Sequence, residues 1–575
     1  MVNFFNENED IRFHLEHMDL SEIIRLKEKG FREREGFDYA PVDEADALDN
    51  YRQVLSLLGE LAGDRIAARA AQVDKEGTKL EHGKVIYAKG IEMAIKELAQ
   101  ADLMGITLPR KYGGLNFPAP IYSMAIEIVS RADASLMTVF GLQDISETIN
   151  AYADEEIKRK YLPKFSSGEV TGAMVLTEPD AGSDLQAVML RATEDKDNGI
   201  WRLNGVKRFI SNGCGHVLLV LARSEEGTRD ARGLSLFLCE SGEGVRIRRI
   251  EDKLGIKGSP TCEIQFTNTP AILIGRRKMG LIRYVMSLMN GARLGIAGQA
   301  VGIAEASFQA AKEYAESREQ FGKKIRDFAA VRDLLVKMKV TLEAMRALTY
   351  ETARVVELDH LLEEWITSGE IEDKEELKKQ KERQARYKRW ASMLTPMAKY
   401  YTTEEVQRIA SDAIQVHGGS GYMKDYDVER HFRDARITNI YEGTSQLQVV
   451  AAIGGIRSGQ FHSYVEDLFD RVREVAPQEK IEELRQRMVS AGACVDYLKG
   501  QSQAYQDLHA EEMVELAILL ICSLLLLESA QHGDHKRVVA EKFLADALPE
   551  IDRLAVSIQS GDAFAVEQFE EIIGK

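Results

Sequence analysis

Hydrophobic residues recur at three- and four-residue spacing over most of the 575-residue chain, and that period predicts helices. From Ile11 to about Lys160 the pattern is helical, with Val54, Leu57, Leu58 and Leu61 on one face. The stretch Leu108-Pro109-Arg110-Lys111-Tyr112-Gly113-Gly114 interrupts it as a glycine-rich turn. Arg131-Ala132-Asp133-Ala134-Ser135 reads as a small-residue helix suited to close packing. Near Gly168 the period changes. Residues 170–176, 201–203, 216–222, 234–239, 245–250 and 263–266 are short apolar runs between turn signals, which predicts a compact β domain. Asn204-Gly205 predicts a hairpin turn within it. Helices return at Leu281, and Gly291, Gly295, Gly298 and Gly302 fall on one of them. Inside a helix each glycine costs roughly 1 kcal/mol against alanine, so their presence predicts close approach of a backbone or a ligand. Residues 358–390 are dominated by Glu, Lys, Arg and Gln and predict a solvated helical hairpin. The residues after Gly459 predict a further helical module.

The pattern therefore gives a mainly α chain with a central β domain. Its divisions are a helical extension at 1–50, an α domain at 51–168, the β domain at 169–279, a helical region at 280–458 and an additional helical domain at 459–575. A charged insertion at about 358–390 lies inside the fourth of these.

Length supports several cores, because 575 residues exceed what one core fills. Hydrophobic residues at 45% and charged residues at 29% describe a globular protein, and only 11 prolines agree with a helical one. The formal charge of -17 disfavours nucleic acid and anionic lipid as partners. The five cysteines (Cys214, Cys239, Cys262, Cys494, Cys522) are scattered without a CxxC pair, which argues against a zinc site or a disulfide framework. The first ten residues are acidic and show neither an apolar signal core nor an Arg-rich presequence, so a cytoplasmic location is expected. The apolar run at 513–527 is broken by Glu515 and is short for a bilayer, so a buried helix is expected there.

Five stretches carry candidate chemistry. Met174-Val175-Leu176-Thr177-Glu178-Pro179-Asp180-Ala181-Gly182-Ser183-Asp184 leaves a strand for a Gly/Ser loop whose amides and hydroxyls can cradle a pyrophosphate or a polar ring edge. In Lys207-Arg208-Phe209-Ile210-Ser211-Asn212-Gly213, strand alternation puts the Phe209 ring and the Ser211 hydroxyl on one side. Core packing with a turn serine explains that stretch as well. Arg318-Glu319-Gln320-Phe321-Gly322-Lys323 offers an arginine for phosphate, or a surface arginine at a helix end. Gln415-Val416-His417-Gly418-Gly419-Ser420-Gly421-Tyr422 is followed by Arg433-Asp434; His417 reads as structural. Last, Ile440-Tyr441-Glu442-Gly443-Thr444-Ser445-Gln446 sets a carboxylate beside a glycine and two hydroxyls. Abstraction of a proton next to a carbonyl needs such a base with donors nearby, although a helix-starting turn reads the same way.

In this order, these five stretches closely resemble the acyl-CoA dehydrogenase flavoenzyme family, over roughly residues 51–455. The resemblance implies an N-terminal α domain, a middle β domain and a C-terminal four-helix bundle. It also implies bound FAD, an acyl-CoA substrate, electron-transfer flavoprotein as acceptor, and a homodimer or a dimer of dimers. Met174, Leu176, Thr177, Gly182 and Ser183 would line the flavin. Phe209 stands where the family usually has tryptophan against the ring, and Ser211 where it often has threonine. Arg318 and Phe321, with Gln415, Gly418 and Gly419 from another subunit, would hold the ADP half, completed by Thr444 and Gln446. Glu442 would be the catalytic base. Some relatives carry the base one position before Arg293; here that residue is Ala292, which has no basic group. Ser183, Asn290, Arg293, Tyr441 and Gly443 would meet the substrate, with Asn290 replacing a commonly acidic residue.

Other readings remain open from the sequence: an acyl-CoA oxidase, the enoyl-CoA reductase direction, and a non-catalytic nucleic-acid-associated relative of the fold. A purely structural helical protein is a further one. The acidic segment after Gly459 shows no basic amphipathic face, so no membrane association is expected.

Overall fold

A computed structural model describes residues 2–574. It forms two compact units, one of Met1–Ala310 with Ala413–Thr438 and one of Ala311–Asp412 with Asn439–Lys575. These do not follow chain order, because the helices Met286–Ser317 and Lys374–His417 each begin in one unit and end in the other.

In the first unit the helices Glu44–Glu60, Lys89–Gln100 and Ala119–Ala132 precede the main sheet, with a small antiparallel pair, Lys79–Glu81 and Lys84–Ile86, between the first two. The sequence 131–135 is not one helix: Ala119–Ala132 stops, Asp133 is extended, and its carboxylate accepts from the N–H groups of Ser135 and Leu136 to start Ala134–Gly141. A short acid that can cap a new helix outweighs the small-residue pattern. Gly298 and Gly302 do mark a close approach. A Cβ on Gly302 would lie 2.5 Å from the Glu127 carbonyl, and one on Gly298 would lie 3.0 Å from Ile126, whereas Gly291 has open space. The N-terminal residues are tied in by Arg110, whose guanidinium makes two bonds to Glu28 at 2.6 and 2.9 Å with both side chains buried.

The sheet has seven strands. Gly172–Val175 pairs with Val217–Arg223, which also pairs with Arg191–Asp195; then come Ile200–Ser211, Thr261–Ile274 and Leu234–Glu240, which returns to Val217–Arg223 and closes the sheet. Every residue of Val217–Arg223 is buried. Leu218 and Val220 pack with Phe237, Ile264 and Phe266, while Leu219 and Leu221 pack with Leu236, Leu238, Leu162 and Phe165. Burial on both faces explains the unbroken apolar run, and each such side chain contributes roughly 1.5–3 kcal/mol. Among the described residues Val245–Ile250 pairs with Thr261–Ile274 alone, with a register shift between Ile247 and Arg249, and the small hairpin of Lys79–Glu81 and Lys84–Ile86 lies near it. Its Arg246, Arg248 and Arg249 are exposed.

The expected hairpin at Asn204-Gly205 is a bulge instead. Ile200–Ser211 is one strand, and its pairing with Thr261–Ile274 shifts between Leu203 and Gly205. Gly205 has φ +145, and the Asn204 amide both donates to the Asn268 side chain and accepts its N–H. Asn-Gly serves a bulge here as readily as a turn, because both need backbone that most residues avoid. The actual turn precedes it at 196–199, between Ile200–Ser211 and a strand, Arg191–Asp195, whose polar alternation hid it.

In the second unit the helices Ala329–Ser368 and Lys374–His417 form the charged hairpin, reversing at Gly369 with φ +78. Its base is not solvated: Leu358, Leu361, Leu362 and Trp390 are buried. Against these helices lie Gln460–Val472, Ala510–Ser529 and Asp534–Ile558. Burial disfavours a charged Glu351, yet Arg354 and Arg471 hold its carboxyl below the usual range, and Tyr464 donates to it at 2.9 Å. Ala510–Ser529 is the apolar centre of this module, as the run at 513–527 predicts; Met513, Leu516, Leu520 and Leu524 are fully buried.

Candidate active site

In the first unit one group of sequence-predicted residues gathers where Gly172–Val175 ends. Buried Lys207 donates to the Leu176 carbonyl at 2.6 Å and pairs with Glu178 at 3.0 Å; burial pulls its pKa down to about 8. Glu178 accepts from the N–H groups of Met189 and Leu190, which closes the loop carrying Gly182 and Ser183. Thr177 accepts from the Arg208 N–H at 3.0 Å, so Met174, Leu176 and Thr177 lie beside the Phe209 segment. Neither Lys207 nor Glu178 was singled out from the sequence, although both stand inside the quoted stretches.

The two-residue alternation expected of Phe209 and Ser211 does not hold. Pairing slips between Lys207 and Ile210, and Phe209 has φ +61. The bulge leaves the Phe209 ring 50% exposed, with the Arg208 guanidinium 4.5 Å from its centre. The side-chain hydroxyls of Thr177, Ser183 and Ser211 make no hydrogen bond among the described residues.

Gln415, Gly418 and Gly419 are exposed at the end of Lys374–His417, where Gly418 turns the chain at φ +61. His417 is structural, as expected: it is buried and its Nδ1 lies 2.8 Å from the Ala413 carbonyl. Arg433 bridges Glu429 and Asp74. Asp434 accepts the Ile256 N–H at 2.5 Å, holding a residue at φ +43. Burial pushes the Asp434 carboxyl up to about 7, opposed by Arg430 and that N–H. Because this lies above the usual 3.8, its stabilising contribution is full below about pH 4 and is lost as pH rises through 7. Asp434→Asn should remove that slope, at most about 1.4 kcal/mol per pH unit. Denaturation midpoints compared between pH 4 and 7 check this; parallel profiles for the two proteins would refute it.

On the helix Met286–Ser317, Arg293 is buried and donates to Asn290 Oδ1 at 3.2 Å.

In the second unit Arg318 precedes a tight hairpin in which Phe321 and Gly322 are the two turn residues between Glu319–Gln320 and Lys323–Lys324. Phe321 and Gly322 both have left-handed φ, +50 and +78, as such a turn requires. The Phe321 ring is 93% exposed, and the Arg318 guanidinium makes no ion pair among the described residues.

Also in the second unit, Tyr441, Glu442, Gly443 and Thr444 are half-buried, and Gln446 is exposed on the first turn of the helix Ser445–Arg457. Glu442 has φ +54 and Gly443 φ +91. The backbone at Gly443 favours glycine, and a Cβ there would lie 2.7 Å from Gln448 Nε2 and displace that amide. Lys399 and Gln448, both fully buried, donate to the Gly443 carbonyl, and Gln448 also reaches the Glu442 carbonyl at 3.3 Å. Ser445 and Asn439 donate to Glu404. These bracing residues were missed; the available signal is a lysine set in the buried run Met397-Ala398-Lys399-Tyr400-Tyr401.

The groups fit FAD. An exposed aromatic face beside unengaged hydroxyls suits a flat ring with polar edges, and an exposed arginine near an aromatic side chain suits a phosphate and a base. Residues 49–169, 173–269, and 282–367 with 376–453 match the N-terminal, middle and C-terminal domains of acyl-CoA dehydrogenase. The 3-methylmercaptopropionyl-CoA dehydrogenase of Ruegeria pomeroyi is 32% identical over 437 residues, 71% of this chain and 70% of that protein. Butyryl-CoA dehydrogenase from Megasphaera elsdenii aligns with a TM-score of 0.61 at 30% identity, covering 71% of this chain and 97% of its own. A structure described as "Bd2924 apo-form" covers 92% of this chain and 98% of its own with a TM-score of 0.74; at 22% identity this is likeness of fold, and it extends into the helices after residue 459. The chain thus belongs to the acyl-CoA dehydrogenase family of FAD-binding oxidoreductases.

Proposed function

We propose that this enzyme dehydrogenates an acyl-CoA thioester to the trans-2-enoyl-CoA, with Glu442 removing the α proton. The observation that carries this reading is the backbone of Glu442. A carboxylate residue at φ +54, followed by a glycine at φ +91, costs roughly 1–3 kcal/mol, and two buried side chains hold it there. Such strain at a carboxylate is what a positioned base looks like. FAD, when bound, supplies the acceptor for the hydride that leaves the β carbon.

The backbone N–H of Glu442 holds the thioester oxygen, and this contact strengthens as negative charge develops there. Bound substrate displaces water from the Glu442 carboxylate and raises its basicity by desolvation. Ser183, Tyr441, Gly443, Asn290 and Arg293 contact the acyl-CoA; the Arg293–Asn290 pair offers cationic and amide donors to the polar parts of coenzyme A. Met174, Leu176, Thr177, Gly182, Ser183, Phe209 and Ser211 hold the flavin end of FAD; Arg318 and Phe321, with Gln415, Gly418 and Gly419 of a second copy of the chain, hold its ADP half, completed by Thr444 and Gln446. In this reading the protein is a cytoplasmic homodimer or dimer of dimers, and its electrons pass to electron-transfer flavoprotein.

Anaerobic titration with saturated acyl-CoAs of varied length and branching tests the reading. The flavin absorbance should bleach with at least one of them. Failure of the whole panel to bleach it would refute the reading, and peroxide formation in air would favour an oxidase.

A further inference from the structure

Resting on the reading of Glu442 as the base, we propose that Lys399 and Gln448 are its positioning residues. The Gly443 carbonyl has two acceptor sites, and the structure engages both from the buried side: Lys399 Nζ takes one and Gln448 Nε2, at 2.8 Å, the other. The same Gln448 amide reaches the Glu442 carbonyl at 3.3 Å. No peptide bond among the described residues is cis. In a trans peptide the C=O and the N–H point in opposite directions. Fixing these two carbonyls inward therefore turns the amides of Gly443 and Thr444 outward, away from Lys399 and Gln448. It also fixes the left-handed backbone from which the Glu442 side chain projects.

Both bracing side chains are fully buried, and a lysine in that position is costly unless its charge does something local. A charge-assisted bond to a carbonyl is stronger than a neutral one, which suits holding a strained segment. Glu404 acts on the other flank, accepting from Ser445 and from Asn439 at 3.0 Å, and the Ser445 N–H is bonded to the Asn439 carbonyl at 3.2 Å. The segment that carries the base is thus held before and after its own position by side chains outside the proposed substrate contacts.

Lys399→Met keeps the length of the side chain and removes its charge and donors. In the flavin-loaded enzyme we expect kcat to fall about 100-fold, the scale of an ångström misplacement of a reacting group. KM should change by less than about threefold, flavin content should be unchanged, and the isotope effect with α-deuterated acyl-CoA should rise as proton removal becomes limiting. A folded, flavin-loaded Lys399→Met with unchanged kcat and isotope effect overturns the proposal. So does a kcat loss that merely tracks loss of flavin and of thermal stability. If Lys399→Met does not fold, Gln448→Leu carries the test, with the same pattern expected and the same outcomes overturning it. Glu442→Gln is measured alongside. Full activity there refutes the base itself, whereas an inactive Glu442→Gln beside an active Lys399→Met refutes only the positioning role.

Discussion

Glu442→Gln is expected to bind FAD and remain yellow while turning over acyl-CoA about 10²–10⁴-fold more slowly, the range for loss of a positioned general base. The substitution is nearly isosteric and leaves the main-chain bonds from Lys399 and Gln448 to this loop in place, since both end on carbonyl oxygens. The carbonyl anchors of the left-handed backbone at φ +54 are thus retained. The loss should therefore fall on kcat with little change in substrate affinity, and anaerobic bleaching by acyl-CoA should slow by the same factor. Rapid-mixing absorbance at the flavin band checks both at once. A variant that bleaches at the normal rate would remove Glu442 from the chemistry.

The second large effect concerns stability. Glu28→Ala leaves the Arg110 guanidinium, itself buried, without the carboxylate that accepts two of its N–H groups. Breaking a buried pair from one side costs about 3–5 kcal/mol, because the remaining charge keeps its desolvation cost and loses its partner. Glu33 is the next carboxylate, at 3.9 Å, and is too far to replace both bonds. At a few degrees per kcal/mol, the melting temperature should drop by roughly 10 °C. Glu28→Gln keeps an acceptor and should cost less. A drop within about 1 °C for Glu28→Ala would show that Arg110 finds water or another acceptor. Activity at low temperature should be unaltered in both variants.

These two sites differ in how far they could be read beforehand. Glu442 stands in a short stretch whose residue types announce a base beside donors, and four other stretches in fixed order gave it context. Nothing in the sequence joins Glu28 to Arg110, 82 residues apart, because an ion pair across that distance has no period or spacing to betray it. The strands show the same contrast. The run predicted at 216–222, observed as the strand 217–223, is plain because both of its faces are apolar, whereas 191–195 is hidden because three of its five residues are exposed. Asn204-Gly205 carries the expected conformational freedom in a different geometry, and the small-residue pattern of 131–135 conceals the cap at Asp133. Left-handed backbone serves a turn or a bulge, and a short acid caps a helix or rides on one; the choice rests on neighbours such as Asn268 that lie far away in sequence. Lys399 carries no such signal, since a lone lysine in a long helix ordinarily faces water.

The outermost strand, Val245–Ile250, meets a partner on one flank only among the described residues, a position where unpaired main-chain groups invite a stranger's strand to dock. Three outward arginines and a slipped register make that flank a poor template, since an incoming chain would bring like charge into contact and find no straight ladder to extend. Gly172–Val175 likewise pairs on one side only among the described residues, but with four residues it offers an incoming strand a short ladder. A crowded solution of this enzyme is thereby guarded against fibrillar clumping at these borders of its sheet.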